Sequence, residues 1–251
     1  MTPVSTVAAG ALTLAGDTRG EGDDLVLVHG LGASRHIWDE VCDDLATTWR
    51  VHRLELRGHG DTGGPGDPDA YKLHLLAADL VSAVDERGLG RATVVAHSLG
   101  GAAALWAALR YRGAFGALVV VGSFTYGLPP ARAAYVRRQL RDLRRRGPEG
   151  AWEDAKATRL ADPNLALRWL DPDFEAVRRA EALAVVPAAW EGLGEEVQHS
   201  PSFAPWLWQL DIPLAVMVGE DDTFMRGPSE EIAAITGAPL HVLASMGHNP
   251  M

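Results

Sequence analysis

The sequence predicts an α/β chain: a mostly parallel sheet flanked by helices, with a helical segment inserted before the last strands. Three observations carry that reading. From residue 1 to about 124, short apolar runs alternate with helix-length stretches, the pattern of a parallel sheet with crossover helices. Residues 125–210 lose the strand signal and read as helical. From 211 to 251 the strand–turn pattern resumes. The division expected is therefore a core made of 1–124 and 211–251, with 125–210 as a helical cap.

Each element has its own signal. Val7-Ala8-Ala9-Gly10-Ala11-Leu12 has no basic residue before it, so it reads as an opening strand pair and not as a signal peptide. Leu25–Val28, Val51–Leu56, Thr93–Ala96 and Ala117–Val121 are short apolar runs, as buried strands require. Ile37–Thr47, Leu73–Arg87 and Gly100–Tyr111 separate them with helical patterns. The 125–210 stretch contains Pro129-Pro130 and the tryptophans Trp152, Trp169, Trp190, Trp206 and Trp208. Leu214–Val218, a helix near Ser229–Ile235 and Leu240–Ala244 complete the pattern.

Chemistry concentrates at Ser98. The run Val94-Val95-Ala96-His97-Ser98-Leu99-Gly100-Gly101 is an apolar strand that ends in small-x-Ser-x-Gly and opens a helix at once. That is the sequence form of a nucleophile elbow, in which a sharp turn lifts a serine hydroxyl clear of the sheet. Residues flanking the serine must be small because strand and helix backbones pass close together. Gly100 and Gly101 satisfy this on one side, and Ala96 stands where glycine is usual on the other. A serine hydroxyl is a poor nucleophile until an imidazole takes its proton. The imidazole in turn needs a carboxylate to fix its tautomer. Candidates follow in the chain order Ser, acid, His: the turn Gly219-Glu220-Asp221-Asp222, then Met246-Gly247-His248-Asn249. The loop His29-Gly30-Leu31-Gly32 after the first apolar strand can present the N–H of Leu31 to an oxyanion.

These motifs resemble the α/β-hydrolase superfamily, in its branch of small capped esterases and lactonases. Leu54-Glu55-Leu56-Arg57-Gly58-His59-Gly60 is similar to the family's strand-end motif, with Glu55 where aspartate is usual. The resemblance implies that Ser98 is the nucleophile, His248 the base and Asp222 the acid, with Asp221 the alternative acid. It implies an oxyanion hole formed by the N–H groups of Leu31 and Leu99, and no cofactor. It also implies a final helix after the histidine turn. The sequence given ends at Met251, so that helix is expected to be absent and a sheet face to be left uncovered, with either self-association through that face or low stability to follow. The expected activity is hydrolysis of a small, mostly apolar carboxylic ester or lactone through an acyl-enzyme. A C–C bond hydrolase, an acyltransferase or thioesterase, a lyase, or a non-catalytic ligand-binding protein of the same fold are the alternatives, since fold alone does not assign function.

Composition bounds the partners. The 251 residues carry 33 acidic and 23 basic side chains, a net charge of −10, and 47% are hydrophobic. Nucleic acid is not an expected partner, because that requires a basic face. One cysteine, Cys42, cannot make an internal disulfide framework. No run of about 18 apolar residues suggests a membrane span, and a cytoplasmic location is expected. His29 and His59 sit on separate turns without ligand-spaced partners, so hydrogen bonding is expected of them and no metal. Val136, Leu140 and Leu143 form one apolar stripe, leaving Arg137, Arg138, Arg141, Arg144, Arg145 and Arg146 for a solvated helix face. Were the arginines to face the pocket mouth, an acyl carrier or another anionic substrate would be implied. The substrate pocket is expected to draw on His97, Phe124, Trp152, Trp190, Trp206, Trp208 and Phe224.

Overall fold

The computed structural model describes residues 12–125, 127, 130–160 and 171–251. Seven strands form one sheet: β1 (Gly16–Arg19), β2 (Asp23–Val28), β3 (Trp49–Leu54), β4 (Thr93–His97), β5 (Ala117–Val121), β6 (Leu214–Gly219) and β7 (Leu240–Leu243), in the order β1-β3-β2-β4-β5-β6-β7. All neighbours run parallel except β1 against β3. The opening-strand expectation at Val7–Leu12 falls on residues 1–11, outside the described residues apart from Leu12. The first strand described is Gly-Asp-Thr-Arg at 16–19, a polar edge strand whose exposed side chains carry no apolar signal.

Helices cover both faces, and the strand alternation sorts the core in two. Val26, Val28, Leu54, Val94, Ala96, Leu118, Val120 and Val216 point to one face. There they meet α2 (Leu73–Glu86), α3 (Leu99–Arg110) and α7 (Arg226–Thr236). Leu25, Leu27 and Val51 point to the other, against Trp38 and Cys42 of α1 (Asp39–Leu45) and the turn before it. This second face runs out to the half-buried Val119, Ala215 and Met217. Seven of the twelve residues of α3 are glycine or alanine, so it lies close on the sheet and on α2.

Between β5 and β6 the described regular elements are all helices. α4 (Pro130–Leu160) is two arms that meet at Gly147, whose φ of 72° suits glycine alone, and Pro148 then starts the second arm. α5 (Pro172–Ala184) opens on an Asp171 cap and α6 (Pro187–His199) on a proline. A single-turn helix at 204–209 leads back to β6. Trp169 lies outside the described residues.

The sheet order reverses at β2 and β4, with β3 and β1 on one side and β5 to β7 on the other. Such a reversal leaves a crevice at the carboxyl ends of the two central strands, where ligands bind in open α/β sheets. The loops following β2 and β4 meet there.

Candidate active site

β4 ends at His97, and Ser98 takes φ 51° and ψ −116°, left-handed backbone that few non-glycine residues adopt. The strain is held from several directions. Ser98 N–H donates to Val121 O at 2.9 Å, and Ser123 Oγ donates to Ser98 O at 3.0 Å. A methyl group on Gly100 would sit 2.4 Å from His29 O, and one on Gly101 would sit 2.6 Å from Ser123 Oγ. Both positions therefore require glycine, while Ala96 fits without exposure. On the far side, a Cβ on Gly30 would lie 2.9 Å from Ser98 Cβ. Close backbone approach is what the small residues of the motif provide.

Ser98, His248 and Asp222 form one hydrogen-bonded line. Asp222 Oδ2 lies 2.7 Å from His248 Nδ1, and His248 Nε2 lies 3.1 Å from Ser98 Oγ. A carboxylate only accepts, so Nδ1 carries the proton, and Nε2 is free to accept from the serine hydroxyl. Asp222 Oδ1 accepts from Met225 N–H at 3.1 Å. Burial pushes the Asp222 carboxyl up, but the His248 hydrogen bond, the His248 charge and the Met225 N–H outweigh it and hold it below 3.8. Asp221, the sequence alternative, is exposed and places its main-chain N–H on Met246 O at 2.8 Å, tying the acid turn to the histidine turn. A Cβ on Gly219 would strike Gly247 O at 2.2 Å, so these two turns pack backbone on backbone.

Three buried histidines brace the surroundings. His29 Nδ1–H donates to Gly30 O at 2.7 Å and its Nε2 accepts Leu56 N–H at 3.1 Å. His59 Nδ1–H donates to Arg57 O, and its Nε2 accepts Gly32 N–H at 3.1 Å. His97 Nε2–H donates to the main-chain O of His248 at 2.8 Å, with the two rings 4.7 Å apart. Burial lowers His59 to about 4, and burial with the nearby His248 lowers His97 to about 3. All three are thus neutral hinges between loops. Among the described residues, no group of three or more metal-ligating side chains is assembled. Glu55 supports the same region: its carboxylate accepts Asp61 N–H at 2.7 Å and pairs with Arg35 at 2.9 Å. The carboxylate packs directly beneath Gly60, so the longer side chain at this position is used in full.

A cavity opens above Ser98. Leu31, His97, Leu99, Phe124, Trp152, Trp190 and His248 line it. Three expected residues do not. Trp206 and Trp208 are 48% and 71% exposed, because the short helix at 204–209 turns them outward. Phe224 packs partly buried against the core, while its neighbour Met225 takes the place in the cavity wall. The sequence reading missed Ile37, Val136, Leu140, Leu143 and Arg178. Val136, Leu140 and Leu143 are the stripe read as ordinary helix packing. Its period was visible, but the surface that would bury it was not. The arginines of the same helix face away: Arg137, Arg141, Arg144 and Arg145 are exposed. Arg144 pairs with Glu191 and Arg138 with Asp154.

A seven-stranded, mostly parallel sheet with a strained strand–serine–helix turn, followed along the chain by acid and histidine turns, defines the α/β-hydrolase class. A family profile described as alpha/beta hydrolase fold matches residues 24–251, and the chain belongs to that family. It is a hydrolase. It is 32% identical over 180 residues to a pimeloyl-[acyl-carrier protein] methyl ester esterase of Klebsiella pneumoniae, a match covering 64% of this chain and 66% of the esterase. It is 25% identical over 244 residues to a 2-succinyl-6-hydroxy-2,4-cyclohexadiene-1-carboxylate synthase of Serratia proteamaculans, covering 92% and 89% of the two chains. Among solved structures, a hydrolase from Pseudomonas aeruginosa superposes with a TM-score of 0.79 at 25% identity, covering 97% of this chain and 90% of the other. Among the described residues, no helix is long and apolar enough to cross a membrane.

Proposed function

We propose that the protein is a cofactor-independent serine hydrolase that cleaves a small, mostly apolar carboxylic ester or lactone. The observation that carries the reading is the Ser98–His248–Asp222 line at the floor of a largely apolar cavity. Ser98 Oγ attacks the carbonyl as His248 Nε2 accepts its proton, and Asp222 stabilises the imidazolium. The oxyanion is held by the main-chain N–H groups of Leu31 and Leu99. Leu99 opens α3, where the first N–H groups have no intrahelical acceptor and the helix dipole favours negative charge. His248 returns the proton to the leaving alcohol, then activates the water that releases the acid. The helical segment 125–210 acts as a cap, its apolar side chains receiving the acyl or alkyl group.

The esterase match supports ester cleavage. The synthase match, which spans more of both chains, keeps open a second reading, chemistry other than ester hydrolysis on the same triad, such as that of a lyase or C–C bond hydrolase. A fluorophosphonate probe and p-nitrophenyl esters of graded chain length test the proposal together. Labelling at Ser98 with turnover of short esters is expected. Labelling without turnover of any ester favours the second reading, and no labelling favours a ligand-binding protein.

A further inference from the structure

Glu181 lies in the last turn of α5 and is 5% exposed, a buried charged side chain on the helical insertion. Its Oε1 accepts twice from one residue: Ser34 N–H at 3.1 Å and Ser34 Oγ at 2.5 Å. Arg178, one turn earlier and in the cavity wall, pairs with Oε2. Ser34 is itself buried, and its hydroxyl also accepts from His36 N–H, capping the turn at 35–38. Three residues before it stands Leu31. The loop from Gly30 to Ser34 thus has side-chain anchors on both sides. His29, through Gly30 O, and His59, through Gly32 N–H, hold it from the core, and Glu181 holds it from the helical insertion.

We propose that Glu181 is a positioning residue, through which the insertion sets the conformation of the 30–34 loop and so the aim of Leu31 N–H. The inference rests on the hydrolase reading above and goes beyond it: the insertion supplies part of the oxyanion geometry, not only a cover for the substrate. A carboxylate that accepts two hydrogen bonds while ion-paired fixes its partner strongly, because charge-assisted bonds are about twice as strong as neutral ones. An oxyanion donor must already be in place when charge develops, so small displacements of the loop act on the transition state more than on ground-state binding.

The full chain is compared as wild type, Glu181→Gln and Ser34→Ala. Glu181→Gln is expected to lower kcat on a short ester about 10- to 100-fold with KM changed less than about threefold. It is expected to weaken a trifluoromethyl ketone of the same chain length by about the same factor, since that adduct's oxyanion uses the same donors. Ser34→Ala keeps the main-chain N–H and should cost roughly fivefold, and the double variant should be no worse than Glu181→Gln. Loss confined to KM or to thermal stability, with ketone affinity and kcat intact, overturns the proposal. Amide exchange read without substrate separates this from failure of the hydrolase reading. Ser34 N–H should exchange faster in Glu181→Gln while Leu25–Val28 stay protected. Unchanged exchange at Ser34 overturns the proposal whether or not the protein cleaves esters.

Discussion

Behind the sheet-side wall of the cavity the turns pack backbone on backbone, whereas the wall contributed by the helical insertion is built of apolar side chains. On the sheet side, Gly30, Gly122 and Gly219 each stand where a methyl group would press on the serine, the acid, the histidine or their turns, and Gly100 where one would strike His29 O. On the insertion side, Val136, Leu140, Leu143, Trp152 and Trp190 present interchangeable apolar surface. Hydrophobic packing tolerates changes of shape that conserve volume, whereas backbone contact tolerates almost none. One wall therefore holds the reacting atoms, and the other can change what is held against them.

Breaking the sheet-side wall should cost most. Ser98→Ala should lower kcat by about 10⁵-fold or more, and adding His248→Ala should cost little further because the residues act as a unit. Multiplied losses in the double variant would contradict the assignment. Asp222→Asn should cost roughly 10³- to 10⁴-fold through the wrong imidazole tautomer. Asp221→Asn should stay within about threefold, since its carboxylate does not meet His248; steady-state kinetics on one ester rank the two. Gly122→Ala is a milder test. Gly122 has φ 52°, and an added Cβ would lie 3.1 Å from Asp222 Oδ2 and 3.3 Å from His248 Nδ1. A fall in kcat of about 10- to 100-fold with KM unchanged is expected.

Changes to the insertion-side wall should sharpen the contrast. Leu143→Ala enlarges the cavity away from Ser98. It should move the preferred acyl chain towards longer esters by about 10-fold in relative kcat/KM, the scale of one or two methylenes. The rate of fluorophosphonate labelling should hardly move. Equal loss on every chain length would mean that this wall also sets the chemistry.

The last test reads stability and not rate, and it concerns pH. His59 and His97 are held neutral in the fold, at about 4 and about 3, while the unfolded chain takes up their protons near 6.5. The unfolded state binds more protons below that value, so their stabilisation is complete above about 6.5 and declines as pH falls. The decline ends near 4 for His59 and near 3 for His97. Urea midpoints measured between pH 7 and 4.5 read these rings before most carboxylates titrate. A flat midpoint would contradict their neutral, buried state.

What the sequence revealed follows the range over which each interaction is encoded. Ser98 and its glycines are neighbours in the chain, and the acid and histidine turns each carry a local motif at the end of an apolar strand. All three were therefore legible. The cavity tryptophans were only half legible, because composition says that Trp206 and Trp208 are large and apolar but not which way a short helix turns them. β1 had no apolar pattern to read, since it pairs at a polar edge. Glu181 and Ser34 are 147 residues apart, and a glutamate on a helix reads as solvent-facing until its partner is known.

The insertion leaves after β5, and its far end comes back to its near end before the chain runs on to β6: Phe203 N–H donates to Thr125 O at 2.8 Å. Its two attachment points therefore lie side by side, so a different helical segment could be grafted there without disturbing the strand order. Such a chimera would inherit the serine, the acid and the histidine intact. It would still lack an acceptor for Ser34 unless the graft brought a carboxylate to that place. Lid exchange in this protein is consequently a two-part engineering problem, in which a donor is chosen for its apolar lining and then fitted with one acidic side chain.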